Sequence, residues 1–475
     1  MPNVESANGS NLKRPRWTSR RAVLTVLGVA ALLRLWCLGS LPLIITNDGV
    51  EYLSTAENLY QQYKLEIEPY RTPGYPVFLS GVFMLFGVGP VGVLLCQHLL
   101  GCVSCVCVAL IGCRLAGPIL GTVAGVACSI DPWLLTHEGL LLTEPLMVCM
   151  VVLLAALVLC SSKPGVWLTL IFGLVLGFAC LVRPTVLVFC PFFVGAWIFG
   201  RCTGVGRRLV SVIVVVFGMG LVLTPWLAFN FKRGIPRLSG GSGFILWYGL
   251  AQFNLLDPDY PLEDEVRKAY ESSISGSPRV APGPLYDFVR KVDGRGRGSD
   301  MLGKWARASI RKNFRQYLKT ALYALGWQLD YYHPAGPYDY SQFDWYLERR
   351  GRDGSGFSYT DQPAVNLDGF AMSGKGGPLR RFFIWWSQTH PRGVPQVPLF
   401  VGALLATLLA VLRRDGCTGL VFAGTIAFIA AHAVLLSTPP RYALPVTALW
   451  YTTPAILLAT ILRWAGYASP SDRNA

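Results

Sequence analysis

Apolar stretches near the length of a membrane-crossing helix recur along this 475-residue chain. A helix needs about 20 predominantly apolar residues to cross the hydrocarbon core of a bilayer. Hydrophobic residues make up 52% of the chain and charged residues only 15%, whereas soluble domains carry about 25% charged residues. The pattern predicts an all-α polytopic membrane protein with about ten spans, at 22–45, 91–113, 117–134, 145–161, 165–182, 184–200, 208–227, 396–412, 418–437 and 442–462.

The charges of the short connections indicate how the chain crosses the membrane. Lysine and arginine in short loops favour the cytoplasmic side. With the N-terminus placed in the cytoplasm, the basic residues on that side are Arg114, Lys163, Arg201, Arg207, Arg208, Arg413, Arg414 and Arg463. We therefore expect an integral protein of the plasma membrane, which in a bacterium is the inner membrane, with a cytoplasmic N-terminus.

This topology divides the chain into five segments. They are a basic cytoplasmic tail (1–21), an N-terminal transmembrane module (22–227), a large extracytoplasmic loop (228–395), C-terminal transmembrane helices (396–465) and a cytoplasmic tail (466–475). Within the large loop, residues 302–329 combine helical periodicity with basic side chains. That combination predicts a basic helical layer over the membrane.

The first outer loop contains two further candidate helices. Apolar side chains recur at helical spacing over residues 50–63, and the apolar stretch 75–88 is too short to cross a bilayer. Counting residues 75–88 as a span would also invert the orientation of every later loop. We expect both stretches to form interfacial helices that lie along the membrane.

Two carboxylates follow the first apolar stretch. Asp48 and Glu51 are three residues apart, which is the spacing of a capping box at the start of a helix. The topology also places them at the outer end of the first span, where charge is costly unless it is paired or functional. A helix cap and a catalytic role are both consistent with this spacing.

Further ionisable residues reach the same side of the membrane. The second outer loop contains His137, Glu138 and Glu144, and Arg71 lies in the first outer loop. Unlike most basic residues near the spans, Arg183 and Arg441 lie at outer ends. An acid-rich site flanked by arginines suits a substrate with a phosphate head and a lipid tail. A carboxylate can take the proton of an acceptor hydroxyl, while cations hold the charge of a leaving phosphate.

Several short motifs occur in the order found in one enzyme superfamily. They are Arg34, Asp48-Gly-Val-Glu51-Tyr52, Ala56-Glu-Asn-Leu59, Tyr70-Arg-Thr-Pro-Gly-Tyr-Pro76, Leu142-Thr-Glu144-Pro145, Gly177-Phe-Ala-Cys-Leu-Val-Arg-Pro184, Thr224-Pro-Trp226, Asn230, Phe244-Ile-Leu-Trp-Tyr-Gly249 and Arg441-Tyr442-Ala-Leu-Pro445. The chain resembles the GT-C superfamily of polyprenyl-phosphate-sugar-dependent glycosyltransferases, in particular the protein mannosyltransferases and the aminoarabinose transferase of lipid A. The resemblance implies a GT-C-type helix bundle with two interfacial helices in the first outer loop.

The resemblance also implies roles for individual residues. The acid after the first span is the catalytic base in this superfamily, which falls on Asp48. Many relatives carry two adjacent acids there, whereas Gly49 follows Asp48 here, so the second role falls to Glu51 or is absent. The remaining implied residues are Glu144 as a further catalytic acid, Arg71, Arg441 and Tyr442 at the donor phosphate, and Tyr52, His137, Glu138 and Arg183 at the acceptor or sugar.

Arg34 and Arg183 are also candidates for pairing with nearby carboxylates. The resemblance implies a polyprenyl-phosphate-linked sugar donor, a lipid, glycan or protein acceptor and surrounding membrane lipids as partners. No nucleic acid partner is expected, since the positive charge lies beside apolar segments. The residues predict no metal site, and the use of a divalent metal is left open.

Two other functions are compatible with parts of the sequence. A transporter or flippase for a lipid-linked sugar could use the same arginines to bind a phosphate head, but it predicts charged groups near the bilayer midplane. A scaffold protein would explain the basic loop and leaves the acids near Asp48 without a purpose. The sequence favours a membrane glycosyltransferase with Asp48 as general base.

Overall fold

The structure is a computed structural model that describes residues 18–40, 47–68, 70–161, 164–202, 204–261, 264, 267–268, 297–329, 396–435 and 443–465. Within these ranges the chain forms helices and no strand. The predicted all-α fold class is confirmed.

The helices bear the labels α1 to α17 in chain order. They are α1 (Ser19–Ser40), α2 (Asn47–Gln62), α3 (Gly74–Phe86), α4 (Pro90–Ala116), α5 (Pro118–Ile130), α6 (Pro132–Glu138), α7 (Glu144–Cys160), α8 (Val166–Val182), α9 (Cys190–Arg201), α10 (Val205–Lys232), α11 (Ser242–Gln252), α12 (Arg297–Lys312), α13 (Phe314–Gln328), α14 (Gln396–Leu412), α15 (Gly416–Val434), α16 (Leu444–Trp450) and α17 (Thr452–Trp464). A short 3-10 helix, Pro184–Val188, joins α8 to α9.

Five helical segments of the described chain are long and apolar enough to cross a membrane: α1, α4, α10, α15 and the segment Leu444–Trp464 formed by α16 and α17. The pair α5 and α6 makes a sixth if its 54° bend lies within one span. Within the described residues every predicted span overlaps a helix, but α7 and α8 have only 17 residues, about 26 Å at 1.5 Å per residue. The count of ten spans therefore stays a prediction.

Close packing between the long helices depends on small residues. The backbones of α4 and α5 approach where a Cβ on Gly121 would lie 2.3 Å from the Cys113 nitrogen. Likewise, α8 and α10 approach where a Cβ on Gly173 would lie 2.6 Å from the Val215 oxygen. Small residues allow such contacts between helices in a membrane, where apolar burial alone gives little drive for association.

The two predicted helices of the first outer loop are present as α2 and α3. Leu53 and Ala56 bury one face of α2, which packs against α3. In turn, α3 packs on α4 and α8, so the segment between α2 and α3 lies beside the end of α8. The placement of α2 and α3 along a membrane surface stays a prediction.

A second, smaller core covers one end of the bundle. It joins α11, α12 and α13 around Trp247 and Trp305. The Tyr317 hydroxyl of α13 donates to the Val434 carbonyl at the end of α15, 2.6 Å away, which attaches this core to the bundle. The predicted basic segment 302–329 thus forms parts of α12 and α13.

Candidate active site

Three side chains of α2 converge on one arginine. Asp48, Glu51 and Tyr52 have the i, i+3, i+4 spacing that places residues on one helix face. Arg71 donates from Nη2 to Asp48 Oδ1 at 2.7 Å, from Nε to Glu51 Oε2 at 2.9 Å and from Nη1 to the Tyr52 hydroxyl at 3.0 Å. Helix α2 begins at Asn47, so Asp48 lies in its first turn. Both carboxylates, Asp48 and Glu51, bind Arg71.

Tyr70 completes this group, which we call the Arg71 cluster (Asp48, Glu51, Tyr52, Tyr70 and Arg71). Its hydroxyl donates to Glu51 Oε1 at 2.9 Å, and its ring centroid lies 5.3 Å from Arg71 Cζ. Burial alone would lower the pKa of Arg71. The charges of Tyr52, Asp48 and Glu51 outweigh that effect, so the pKa lies well above its ordinary value. The guanidinium is therefore charged at any working pH, while its side chain keeps 19% exposure for a ligand.

Contacts with distant segments position the backbone on either side of Arg71. The Ser239 hydroxyl donates to the Tyr70 carbonyl at 2.8 Å, and Gly74 lies directly against the backbone at the end of α8. A Cβ on Gly74 would lie 2.4 Å from the Val182 nitrogen. The glycine of the Pro-Gly-Tyr-Pro motif therefore allows the approach that brings Arg71 beside the C-terminal end of α8.

We expect Gly74→Ala to lower the free energy of unfolding, because the added methyl meets backbone that cannot yield as a side chain does. Gly81→Ala on the same helix is the matched control, since no atom lies within 4 Å of its added Cβ. Thermal unfolding of both purified variants tests this. Wild-type behaviour of Gly74→Ala would contradict the role assigned to the glycine.

A second ion pair lies near the Arg71 cluster. Arg183 directly follows α8, and its Nη2 donates to Glu144 Oε1 at 3.0 Å at the start of α7. Glu144 is fully buried. Burial raises the pKa of Tyr52, and Arg71, Asp48, Arg183 and Glu144 all act electrostatically on its hydroxyl. Arg183 therefore has the carboxylate partner that the sequence predicts.

Glu138 lies in a different, buried group. Arg34 donates to Glu138 Oε1 at 2.6 Å, and His98 Nδ1 lies 2.9 Å from Glu138 Oε2. All three side chains are at most 5% exposed. This Arg34 triad joins α1, α4 and α6, and it supplies the carboxylate partner expected for Arg34. The predicted contact of Glu138 with acceptor or sugar stays a prediction.

His137 also lies inside the bundle. Its Nδ1 is 2.9 Å from the Trp133 carbonyl one turn earlier, and its ring packs edge-on against Trp133. His137, Glu138 and Arg34 line the same small cavity. The sequence placed His137 and Glu138 with Asp48, whereas the described contacts assign them to this internal region.

The remaining predicted phosphate ligands, Arg441 and Tyr442, lie outside the described residues. Their roles stay predictions. Among the described residues, no three His, Cys, Asp or Glu side chains gather as a metal site.

A cavity of about 520 Å³ adjoins the Arg71 cluster. It lies between α2, the segment that follows it and the end of α10, and we call it the polar cavity. Glu51, Tyr52 and Arg71 line it on one side and Arg233 on the other. Its volume falls within the roughly 300–1,000 Å³ of small-molecule sites.

Tyr70 and Arg233 are not among the site residues predicted from the sequence. Tyr70 stands beside Arg71 in the Tyr-Arg-Thr-Pro motif, so its position was a usable signal. Arg233 follows the predicted seventh span at the end opposite to most basic residues. The same criterion singled out Arg183 and Arg441, and it would have identified Arg233.

Residues 70–229 match the family model described as dolichyl-phosphate-mannose-protein mannosyltransferase. Over this range the chain is similar to that family of mannosyltransferases. The matched range covers about a third of the chain and includes Arg71, Glu144 and Arg183, but it begins after Asp48 and Glu51. No curated protein shows significant sequence similarity to this chain.

Two solved structures are similar to this chain at low TM-scores. The Archaeoglobus fulgidus oligosaccharyltransferase complex with zinc and sulfate has a TM-score of 0.44 and 14% identity over 93% of this chain and 50% of that chain. ArnT from Cupriavidus metallidurans in the apo state has a TM-score of 0.40 and 14% identity over 91% of this chain and 78% of that chain. The chain spans about half the length of the archaeal enzyme.

Proposed function

We propose that this protein is a membrane glycosyltransferase that moves a sugar from a polyprenyl-phosphate donor to an acceptor at the outer face of the membrane, with Asp48 as general base. The observation that carries the proposal is the contact of Asp48 with Arg71 at 2.7 Å, with side chains 30% and 19% exposed. A base for the acceptor and a cation for the leaving phosphate thus lie side by side and remain reachable. The family description, which names a dolichyl-phosphate sugar, supports the same class of donor.

The charge pattern supports the outer face. If the N-terminus is cytoplasmic, as the basic short loops predict, the C-terminal end of α1 lies outside. Asp48 follows α1 within eight residues, and the ends of α8 and α10 that carry Arg183 and Arg233 lie on the same side. The donor lipid would keep its tail in the bilayer and present its phosphate to this end of the bundle. In a bacterium this would be the periplasmic face of the inner membrane.

The proposed reaction is a direct displacement with inversion at the anomeric carbon. Asp48 takes the proton of the acceptor hydroxyl, and the acceptor oxygen forms a bond to the anomeric carbon. The bond from that carbon to the phosphate oxygen breaks, and its electron pair leaves with polyprenyl phosphate. The leaving group therefore needs a cation more than it needs a proton donor.

Arg71 can donate hydrogen bonds to a phosphate while it remains bound to the two carboxylates. A guanidinium has five N–H donors. Within the described residues, three donate to Asp48, Glu51 and Tyr52, so two remain for phosphate oxygens. Because the pairing with Asp48 and the phosphate contact use one guanidinium, donor binding would also set the position of the base.

Transfer assays with Arg71 variants test the phosphate role. We expect Arg71→Lys to lower transfer by about tenfold, because an ammonium keeps the charge but cannot reach three partners at once. Arg71→Ala should lower it by about a hundredfold or more, as removal of a charge-stabilising donor does elsewhere. The purified chain would be incubated with polyprenyl phosphates carrying labelled mannose, glucose, galactose or arabinose, together with solubilised cell-envelope lipids and proteins as the source of acceptor, and the loss of each donor and the labelled product would be measured.

The exposed pair of Arg237 and Asp300, also 2.7 Å apart, provides a matched control. Arg237→Lys should leave transfer unchanged. Wild-type transfer by Arg71→Ala would reject the phosphate role. Failure of the wild type to consume any of the four donors would reject the proposed donor class.

A further inference from the structure

The polar cavity carries both signs of charge. Its charged lining residues are Glu51, Glu66, Glu68, Arg71 and Arg233, so three carboxylates face two guanidiniums. Glu51 is already paired with Arg71. Away from Arg71, Glu66 and Glu68 outnumber Arg233, which disfavours a phosphate there, whereas a neutral ligand with many hydroxyl groups can use both donors and acceptors.

Two opposite sides of the cavity offer hydrogen bonds. On α2, Asn58 Nδ2 donates to Glu66 Oε2 only at 3.4 Å, a long contact that a ligand hydroxyl can replace. At the end of α10, Arg233 donates from Nη2 to the Ile67 carbonyl at 3.1 Å. Its Nη1 is buried and has no hydrogen-bond partner within the described part of the chain. Both sides therefore retain capacity for ligand oxygens.

An apolar surface lies beside these polar groups. Phe229 lines the cavity, and its ring centroid lies 5.3 Å from Arg233 Cζ. A sugar ring has hydroxyl groups at its edge and C–H groups on its faces. A cavity lined by carboxylate, amide and guanidinium groups and by an aromatic ring matches that distribution.

We propose that the polar cavity holds the sugar ring of the lipid-linked donor, with Asn58, Glu66 and Arg233 binding its hydroxyl groups. This rests on the proposed function, which places the donor phosphate at Arg71. Arg71 itself lines the cavity, and the sugar is joined covalently to that phosphate, so the ring must lie next to it. The donor sugar therefore fits this location better than the acceptor does.

The same residues would select among sugars. Epimers differ only in the direction of one hydroxyl group, and a site whose polar groups match one epimer leaves those groups unpaired with another. Asn58 supplies a donor and an acceptor, and Glu66 supplies acceptors. We infer that this pair discriminates between epimeric donors.

Binding measurements on the full-length protein in nanodiscs test the proposal. The ligands are polyprenyl phosphate without sugar and the same lipid carrying mannose, glucose, galactose or arabinose. We expect at least one sugar to tighten binding about tenfold over the bare lipid. Asn58→Ala and Glu66→Gln should each remove most of that gain and leave affinity for the bare lipid unchanged, which also shows that the variants are folded.

Gln61→Ala is the matched control, because Gln61 is exposed on α2 and does not line the cavity. If Asn58→Ala or Glu66→Gln also weakens binding of the bare lipid, Arg233→Gln at the opposite wall is measured in the same way. The proposal is overturned if no sugar tightens binding, or if the gain survives both in the α2 variants and in Arg233→Gln.

The outcomes separate this proposal from the proposed function. Tighter binding of a sugar-bearing lipid without transfer to any acceptor would leave the sugar site standing and reject the enzymatic role. Transfer by the wild type, with no sugar-bearing lipid binding more tightly than the bare lipid, would support the enzymatic role and reject the sugar site. Unchanged ratios of kcat/KM between epimeric donors in both α2 variants would specifically reject the discrimination by Asn58 and Glu66.

Discussion

Asp48→Asn is expected to abolish sugar transfer while the protein still inserts and folds. The amide keeps the size of the side chain and can still accept a hydrogen bond from Arg71, 2.7 Å away in the wild type. It cannot take the proton of the acceptor hydroxyl. General bases contribute about a hundredfold to ten-thousandfold to rates, so the loss should be at least about a hundredfold.

Two measurements make this test specific to the base. Donor affinity of Asp48→Asn should stay within a few-fold of the wild type, since Arg71 retains its charge, while kcat falls. Asp300→Asn is the matched control, because it makes the same change in an exposed arginine pair, and it should keep full activity. Substantial transfer by Asp48→Asn would eliminate the proposed mechanism.

Arg34→Met is expected to destabilise the protein more than other single changes of a charged side chain in the described region. The change leaves the buried carboxylate of Glu138 without its guanidinium, whose Nη2 lies 2.6 Å from Oε1. Breaking one partner of a buried pair costs about 3–5 kcal/mol. Lipid on the outside of α1 offers no compensating solvation, because a charge within a membrane needs a partner.

The companion variants show whether the charge is the cause. Arg34→Met combined with Glu138→Leu should recover a large part of the lost stability, since replacing both members of a buried pair by apolar residues is often neutral. Arg20→Met, an exposed change on the same helix, should have little effect. Denaturation of the purified proteins in one detergent measures all three. Equal stability of Arg34→Met and the wild type would show that the Arg34 triad is not structurally important.

Much of the candidate site was predictable because it depends on local spacing. The apolar stretches predicted helices at the right positions, and the i, i+3, i+4 spacing on α2 is enough to place Asp48, Glu51 and Tyr52 on one face. The Tyr-Arg-Thr-Pro-Gly motif pointed to Arg71. The sequence did not reveal that a single guanidinium binds all three, since that depends on how the segment between α2 and α3 returns.

The partners of several other charged residues could not be predicted from local sequence patterns. Glu138 and Glu144 are six residues apart, yet one pairs with Arg34 inside the bundle and the other with Arg183. The bend of 54° between α5 and α6 directs the second loop into the bundle, and no spacing rule specifies that direction. Arg233 approaches the segment after α2 although 166 residues separate it from Ile67.

The sequence by itself determined that the chain is a helical membrane protein, and it identified the ionisable residues at one end of the bundle. Both follow from hydrophobic length and helical periodicity, which are properties of contiguous residues. Only the tertiary structure decided which charges pair, how Gly74 brings Arg71 to the end of α8, and where the polar cavity lies. Those features arise from contacts between residues far apart in the chain, and local patterns do not specify such contacts.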